Sequence, residues 1–500
     1  MRLYEDFFCA LVVFCIPLVC SAQKRVTVSG YVRDIDSGEP IIGAVIYNED
    51  KSVGVGTNES GFYSLTLASG PHTLFCSCVG YVDVEQSVEL KSDKLKLDFE
   101  ISEDKVQLEA AKVFSHTKKD MLKLPQMGAQ LFDVAISKKL PALMGEADII
   151  RVIQMLPGVQ TPSEGSTGFS VRGGGVDQNL ILMDGAPIYN SGHFLGFFSM
   201  FNSDAVKTAQ LYKGDFPTKF GGKTSSVLDI NTVDGNMKKF GGSASLGFIA
   251  SKRFLEGPIV KDKLSLMFSA RRSYVDIFFP LLKKYFSERT KLSFYDINAK
   301  LTWNVNDKNR VYVSAFSSDD VFGVALEQMG VELMTFDYSN NTQSIRWNHE
   351  FGPKLFSNLT LYNSFYSADI EGDMDLAPFD WQSKITETGL RYNCTWYISP
   401  KNTMEFGVNA AYFFLRPSET HPPKDKESVV QDVVSPYTHA VNPAVYIQNE
   451  SKLGPLTFRY GVRYSAFTTF GETDQLYFNS WSHEYENTVH FDKWEKIKGA

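Results

Sequence analysis

Cysteine is scarce in this chain, and its distribution argues against a disulfide framework. Only 6 of the 500 residues are cysteines, and Cys9, Cys15 and Cys20 lie within the first 22 residues. Three cysteines are too few for the set of paired bridges that staples small secreted domains. The two that lie close together fall in a predicted strand, where alternate residues share a face. A metal-binding pair and two buried thiols both remain open for them; the three cysteines after residue 22 are Cys76, Cys78 and Cys394.

Long apolar runs are missing after residue 22. Before it, an apolar stretch from 7 to 18 follows Arg2 and precedes Cys20-Ser21-Ala22. This pattern is typical of a secretory signal peptide, which we place at 1–22 with cleavage before Gln23. No later run of about 18 apolar residues offers a transmembrane helix. An exported chain of this kind can cross a membrane only as a closed β-barrel.

The sequence also lacks the features of nucleic-acid-binding proteins and of enzymes. Its net charge of −8, with a pI of about 5.6, argues against nucleic acid as a partner. Gly221-Gly222-Lys223-Thr224 is not a phosphate loop, because Pro217 stands where that motif needs glycine. The eight histidines show no metal-ligand spacing, and no nucleophile elbow or carboxylate dyad stands out. We therefore predict no catalytic residue, no bound metal and no cofactor.

The most informative stretch that is present runs from 168 to 232. Short apolar β-type segments alternate there with glycine-rich corners. Glycine allows positive φ angles and close backbone approach, so the pattern predicts a compact, tightly turning, β-rich module. Just upstream, Ile149 to Leu156 read as a short helix that follows Asp148 and is stopped by Pro157-Gly158.

Four motifs follow one another within this stretch. They are Ser170-Val171-Arg172-Gly173-Gly174, Leu182-Met183-Asp184-Gly185-Ala186-Pro187, Tyr212-Lys213-Gly214 and Phe220-Gly221-Gly222. In order and spacing they resemble the plug domain of TonB-dependent outer-membrane receptors, which implies an α+β plug over 125–235. The residues that carry the resemblance are Arg172, Gly173, Gly174, Asp184, Gly185, Lys213, Gly214, Gly221 and Gly222.

The segment before the plug divides into a β-module and a linker. Alternating strands with turn signals predict a β-sandwich over 23–100, and its motifs are similar to the non-catalytic carboxypeptidase-regulatory-like domain. The linker spans 101–124. By position, its residues 106–114 resemble a TonB box, which would bind the periplasmic energy transducer by strand addition. The box candidates are Val106, Leu108, Glu109, Val113 and Phe114.

From 241 to 500 the sequence alternates between apolar and polar residues with period two. This predicts about twelve strands that are wet on one face. Short turns alternate with long polar connections near 274–291, 320–337, 370–383, 416–438 and 469–487, which is the rhythm of an outer-membrane barrel. Plugged transporters close with about 22 strands, so we expect this barrel to be incomplete. Aromatic residues near strand ends suit the membrane interfaces: Trp303, Trp347, Tyr397 and Tyr464.

The fold class expected is therefore mainly β, with an N-terminal β-sandwich, an α+β plug and the N-terminal part of a transmembrane antiparallel barrel. We expect Arg172 to lock the plug by pairing with a barrel carboxylate, with Glu256 as one candidate, although a solvated arginine at a turn is the alternative. Substrate contacts are expected from the plug's outer loops. The candidates, which could equally be plug core, are Tyr189, His193, Phe194 and Phe197.

The resemblance implies TonB-dependent active import across the Gram-negative outer membrane. The implied partners are a periplasmic TonB-type transducer, outer-membrane lipids and a small-molecule, glycan or siderophore substrate. A surface lipoprotein is a further partner that the resemblance allows, and nucleic acid is not expected. The alternative is a non-transporting surface receptor or glycan-binding adhesin that signals to the periplasm.

Overall fold

The computed structural model describes most of the chain between residues 25 and 492. The described ranges are 25–91, 94–104, 129–133, 148–161, 168–247, 249–282, 290–326, 331–374, 376–471, 473–478 and 485–492. The predicted signal peptide and residues 106–114 therefore lie outside the described part. Within that part, no helix has the length and apolar character needed to cross a membrane.

The N-terminal domain is a sandwich of two four-stranded sheets. One sheet has the order β4-β1-β7 with β8 also paired to β1, and the other has the order β3-β2-β5-β6. Its apolar residues meet in a single core between the sheets. The strands are β1 (Arg25–Asp34), β2 (Val45–Asn48), β3 (Gly54–Gly56), β4 (Phe62–Ala68), β5 (Gly70–Ser77), β6 (Val84–Leu90), β7 (Lys94–Lys96) and β8 (Phe99–Ile101).

Cys76 of this domain is buried in the core, and Cys78 packs against it half-buried. Among the described residues, no group of three or more potential metal ligands is assembled. These two positions fit the expectation of buried thiols better than that of a metal-binding pair.

The plug is built on a five-stranded sheet with the order β13-β12-β17-β16-β9. Helix α1 (Ile149–Gln154) buries four of its residues against this sheet, and the Asp148 carboxylate caps it by accepting a 2.8 Å hydrogen bond from Ile150 N. The predicted helix is thus confirmed. The strands are β9 (Ala129–Asp133), β10 (Val159–Gln160), β11 (Ser170–Val171), β12 (Asn179–Met183), β13 (Ala186–Pro187), β14 (Gly192–His193), β15 (Phe198–Ser199), β16 (Val206–Tyr212) and β17 (Ser226–Thr232); 3₁₀ turns span Val176–Gln178 and Phe194–Gly196.

The remaining strands form one large antiparallel sheet, β18 to β30, and a separate hairpin of β31 and β32. A 3₁₀ helix, Val275–Leu282, follows β20. The strands are β18 (Gly241–Leu246), β19 (Ala250–Val260), β20 (Leu264–Ser273), β21 (Lys291–Asn306), β22 (Asn309–Leu326), β23 (Val331–Gly352), β24 (Leu355–Met374), β25 (Phe379–Ser399), β26 (Asn402–His421), β27 (Val433–Val434), β28 (Thr438–Leu453), β29 (Leu456–Ser465), β30 (Thr468–Phe470), β31 (Thr473–Phe478) and β32 (Tyr485–Phe491).

The pairing register of this sheet is the one that a tilted barrel wall requires. A row of directly opposed residues begins at Leu264, the first residue of β20, and ends at Tyr464, the ninth residue of β29. Counted from the short-turn end of the strands, the row therefore shifts by eight residues over eight strand pairings, or by one residue per strand. With about 3.3 Å per residue and about 4.8 Å between strands, the tilt is about 35°, since the tangent is 3.3/4.8. Barrel strands typically tilt by about 35–45°.

Three of the predicted long connections are wrong, one of them because 469–487 contains β31 and the start of β32. Residues 320–337 and 370–383 are mostly strand, because β22 and β23 extend to Leu326 and from Val331, and β24 and β25 extend to Met374 and from Phe379. Apolar residues fall on consecutive positions there, as at Val321-Phe322 and Leu333-Met334, so no strict alternation marks these segments as strands. Ladder hydrogen bonds between the paired strands satisfy the backbone there.

The aromatic residues separate according to the face they occupy. Trp303, Trp347 and Tyr464 lie on the outer face with 49%, 40% and 71% exposure. Tyr397, predicted to lie with them, is on the inner face and buried, while its neighbour Trp396 points outward. The prediction for Tyr397 was wrong by one residue, which in a strand exchanges the two faces.

Candidate functional site

The inner face of the large sheet contacts the plug on nine successive strands. From β20 to β29, leaving out the short β27, each strand supplies a polar side chain that hydrogen-bonds to the plug at 2.5–3.1 Å. These side chains are Ser269, Lys300, Asp320, Ser344, Ser364, Arg391, Asn409, Gln448 and Arg463.

These contacts require the sheet to curve around the plug. Nine strands laid flat would be about 43 Å wide, whereas the five-stranded plug sheet is only about 24 Å wide. A flat sheet stacked beside the plug could not reach it from every strand. The plug is therefore enclosed by the wall along the whole arc from β20 to β29.

A buried chain of alternating charges crosses this interface. The wall residue Lys300, 1% exposed, has its Nζ 2.9 Å from Asp184 of the plug and 2.8 Å from Asp234, which follows the last plug strand. The other oxygen of Asp234 lies 3.2 Å from Lys207 Nζ, and Lys207 lies 2.9 Å from Glu39 of the N-terminal domain. One set of contacts thus connects the plug motif, the wall and the N-terminal domain.

The pKa of Asp184 shows how this burial is compensated. Burial alone raises the pKa of a carboxyl, since it disfavours the charged form. The Lys300 ammonium, Arg346 and a hydrogen bond from Thr232 outweigh that effect and hold the pKa of Asp184 below its usual value. Asp184 therefore stays ionised, and its charge depends on the cation of the wall.

A second buried cluster joins the plug to β20 and β21. Asp296 of the wall accepts a 2.7 Å hydrogen bond from Arg271 Nε, and its other oxygen lies 2.9 Å from His193 Nε2 of the plug. Arg271 also donates a 2.7 Å bond to the carbonyl of Ser199. The His193 ring stacks on Phe294 with ring centroids 4.1 Å apart. Plug and wall are thus joined by buried polar contacts at two separate places.

The N-terminal domain reaches into the same enclosure from the end that carries the short turns. The turn that follows Asn58 makes three different contacts. The carboxylate of Glu59 pairs with Lys219 of the plug. The hydroxyl of Ser60 accepts a 2.6 Å hydrogen bond from Asn348 of the wall. Phe62, fully buried, stacks on Phe356 of the wall at 5.2 Å.

The turn at 34–39 adds a second attachment. Glu39 accepts a 2.8 Å hydrogen bond from the backbone N of Asp234, beside its ion pair with Lys207. Met237 N donates a 2.8 Å bond to the carbonyl of Ser37. The N-terminal domain is therefore attached to the plug, to the wall and to the segment that joins them.

We expect the Glu59–Lys219 contact to weaken in acid. Lys219 holds the pKa of the Glu59 carboxyl below its usual value, so the contact contributes fully at pH values above that usual value and is lost as the pH falls below it. Glu59→Gln should speed hydrogen exchange in the 58–62 turn about threefold at pH 7, since partly exposed ion pairs contribute up to about 1 kcal/mol.

The same experiment has an internal control in its pH dependence. The difference between the wild type and Glu59→Gln should shrink as the pH falls below the usual pKa of a glutamate, about 4.3, and vanish once the carboxylate is protonated in the folded protein. The matched variant Glu89→Gln, on an exposed strand of the same domain, should exchange like the wild type throughout. Equal exchange in Glu59→Gln and wild type at pH 7 would show that the contact does not hold the turn.

Arg172 does not form the predicted lock. It is exposed, adopts a left-handed backbone angle of φ 51°, and among the described residues it forms no ion pair. Glu256 instead accepts a 3.0 Å hydrogen bond from Asn236 N. The expectation was wrong because Arg172 sits on a turn that points out of the plug. The carboxylate of the locking pair, Asp184, belongs to the plug and its cation, Lys300, to the wall.

The other plug-motif residues shape the backbone around these contacts. Gly185 and Gly214 have φ angles of 82° and 92°, which favour glycine, and a side chain on Gly185 would crowd Thr360 of the wall. The carbonyl of Gly185 accepts a hydrogen bond from Arg391 of the wall. Lys213 donates a 3.0 Å bond to the carbonyl of Pro157. The remaining motif glycines lie in the connections between plug strands: Gly173 and Gly174 between β11 and β12, and Gly221 and Gly222 between β16 and β17.

The predicted substrate-facing residues do not share one surface. His193 and Phe194 are buried between plug and wall, in keeping with the plug-core alternative. Tyr189 donates its hydroxyl to Glu387 of the wall. Phe197 alone of the four is exposed, at 52%. The energy-coupling candidates Val106, Leu108, Glu109, Val113 and Phe114 lie outside the described residues.

Family models match two parts of the chain. Residues 28–113 match the CarboxypepD_reg-like domain, and residues 133–227 match the TonB-dependent Receptor Plug Domain. Both resemblances, and the mainly β fold with its plug, are thereby confirmed. The second of these is a receptor module, which favours the receptor prediction over an enzymatic one.

Three known proteins illustrate the similarity. A probable TonB-dependent siderophore receptor, PirA of Acinetobacter baumannii, is 24% identical over 292 residues, covering 50% of this chain and 35% of that protein. Bacillopeptidase F of Bacillus subtilis is 40% identical over 76 residues, 15% of this chain and 5% of that protein. The outer membrane transporter YddB of Escherichia coli has a similar fold, with a TM-score of 0.51, 13% identity, and 69% and 58% of the two chains covered. The chain thus spans less than two thirds of each.

Proposed function

We propose that this chain, which carries a TonB-dependent receptor plug domain behind a CarboxypepD_reg-like domain, belongs to an energy-coupled importer of the Gram-negative outer membrane. The observation that carries the proposal is the enclosure of the plug, which hydrogen-bonds to nine successive strands of the wall. A plug held this way closes the path through the wall. Import therefore requires work to be done on the plug.

The outer membrane holds neither ATP nor a proton gradient, so this work must come from a periplasmic partner. The segment at 106–114 follows the last strand of the N-terminal domain, β8, and precedes the plug in the chain, where a pull would reach both. Strand addition suits such a contact, because main-chain hydrogen bonds give grip with little demand on sequence. The partner is a TonB-type transducer, and the chain reaches the outer membrane after removal of the signal at 1–22.

The N-terminal domain closes the periplasmic mouth. Outer-membrane barrels place their short turns on the periplasmic side, and the domain binds at the short-turn end through Glu59, Ser60 and Phe62. A substrate moving past the plug would meet this domain next. Import therefore requires the N-terminal domain to leave the mouth. The ion pairs of Glu59 with Lys219 and of Glu39 with Lys207 are broken in that step.

The cargo is a small molecule, siderophore or glycan that binds on the long-loop side. Phe197, exposed on the plug, is the residue of the predicted set best placed to contact it. The siderophore receptor among the relatives favours a metal chelate. The long extensions of β22 to β25 supply further binding surface above the membrane.

Deleting 106–114 should abolish import while leaving surface binding intact. The experiment compares cells that carry the wild-type gene, the deletion or no gene. Binding and accumulation are measured with ⁵⁵Fe-enterobactin, ⁵⁷Co-cyanocobalamin and tritiated maltoheptaose. For the compound that binds, we expect accumulation in the wild type to fall in the deletion to the level of cells without the gene. A deletion of 115–123, of equal length in the same linker, is the control.

Two outcomes would contradict the proposal. Accumulation that persists without 106–114 would show that this segment does not couple import to the periplasmic partner. Binding without accumulation in wild-type cells would favour the second candidate, a surface receptor or adhesin that does not transport. The N-terminal domain would then serve as its docking module on the periplasmic side.

A further inference from the structure

We infer that the outer face of strands β19 to β21 holds a binding site for a phosphorylated lipid of the outer leaflet. A groove of about 610 Å³ opens on this face, and its lining includes Arg253, Arg272, Tyr295, Ile297 and Asp319. The inference rests on the proposed function, because it requires these strands to cross the outer membrane.

The two arginines are neighbours that carry the same charge. Arg253 pairs with Ala270 and Arg272 with Ser251 in the ladder between β19 and β20, so the two side chains are diagonal neighbours on one face. Such positions lie about 7–8 Å apart. Both arginines are exposed, and within the described residues neither forms an ion pair. Two like charges at this distance favour an anion between them.

The position of the two arginines along the membrane normal matches the level of the lipid headgroups. Below them the outer face is apolar, with Leu255 on β19 and Leu266 and Phe268 on β20. Arg272 lies eight residues beyond Leu264, which opens β20 at the short-turn end. At a tilt of about 35°, this is about 22 Å along the membrane normal, close to the apolar band of about 25 Å in outer-membrane barrels. The arginines therefore lie where the acyl chains end.

The surroundings suit a lipid phosphate better than a free one. Tyr295 is directly opposite Arg272 in the ladder and 38% exposed, so its ring can lie at the interface with its hydroxyl beside the headgroup. Ile297 gives the groove an apolar floor on the membrane side. Asp319 pairs with Tyr295, one strand further on, so it is about 10 Å from Arg272 across two strand spacings.

The occupant with this chemistry is the phosphorylated glucosamine headgroup of lipid A. Its phosphate can accept paired N–H bonds from a guanidinium, as carboxylates and phosphates do elsewhere. Its acyl chains would lie along the apolar outer face below. Phospholipids, which face the periplasm, would instead meet the opposite end of the same strands, where Lys261 and Lys263 are exposed.

The test compares lipid binding by Arg253→Gln/Arg272→Gln and by the wild-type protein. Proteins extracted from outer membranes are reconstituted in nanodiscs and titrated with Kdo2-lipid A. Since each basic residue near an anionic surface contributes about 1 kcal/mol, the double variant should bind about 30-fold more weakly. The control Lys261→Gln/Lys263→Gln carries the same charge change at the other interface and should bind like the wild type.

Two further titrations separate the sources of phosphate. Dephosphorylated lipid A should bind the wild type as weakly as it binds the double variant, and inorganic phosphate should not compete at equal concentration. If the protein is inserted in the membrane and the wild type and the double variant bind lipid A equally, the lipid site is overturned while the proposed function stands. Recovery of the wild type in the soluble periplasmic fraction would instead overturn the proposed function.

Discussion

Import is expected to stop when the N-terminal domain is fixed in the mouth of the wall and to resume when it is released. Ser60 and Asn348 are in contact at 2.6 Å, and neither belongs to the plug. Replacing both with cysteine and bridging them with a short thiol-specific cross-linker joins the domain to the wall. The plug remains free to respond to a pull, so any loss of import isolates the domain's own movement.

Accumulation of the compound identified in the binding experiment should fall more than tenfold on cross-linking, because a covalent bond removes the released state altogether. A reducing agent that cleaves the cross-link should restore it. Surface binding should be unchanged. The single variants Ser60→Cys and Asn348→Cys, treated with the same reagent, control for reaction at Cys76, Cys78 and Cys394. Undiminished import by the cross-linked protein would mean that the substrate passes with the domain in place.

Removing the Lys300 ammonium is expected to loosen the plug more than any other single change in the wall. Lys300→Met keeps the length of the side chain but leaves Asp184 and Asp234 buried without their shared cation. Breaking a buried ion pair from one side costs about 3–5 kcal/mol. This raises the fraction of loosened plugs by about two to four orders of magnitude.

The leak is measured as sensitivity of intact cells to vancomycin, which a closed plug excludes. Lys300→Met should be sensitised, whereas Lys291→Met, an exposed lysine of the same strand, should not. The double variant Lys300→Met/Asp184→Asn should be partly restored, because one cation and one anion are removed together and Asp234 keeps its ion pair with Lys207. A Lys300→Met strain as resistant as the wild type would show that the charge chain does not hold the plug closed.

The sequence predicted the local architecture well where side chains alternate strictly. Period-two patterning predicts the two faces of β20, β21 and β29, and it places Lys300, which lies between Ala299 and Leu301, on the polar face of β21. Its partners could not be predicted, because Asp184 and Asp234 lie 116 and 66 residues earlier in the chain. Spacing along a strand reports which face a residue occupies but not what lies opposite that face.

The errors have two physical sources. Arg172 is a charged residue in a glycine-rich motif, which favoured the prediction of a lock. Its left-handed backbone instead directs the side chain outward. The carboxylate of the next motif, Asp184, makes the buried contact instead. The ends of β22 to β25 were not predicted as strands because their apolar and polar residues do not alternate strictly. Docking of the N-terminal domain left no periodic signal either, since it depends on two turns, at 34–39 and 58–62.

The central claim is that the plug is enclosed by the strands that follow it, and cryo-electron microscopy of the protein purified from outer membranes tests it most directly. We predict density for a tilted ring of strands with the plug sheet inside, and with Lys300 Nζ within about 4 Å of Asp184 and Asp234, the limit for an ion pair. Density in which β18 to β29 form an open sheet stacked beside the plug would contradict the account.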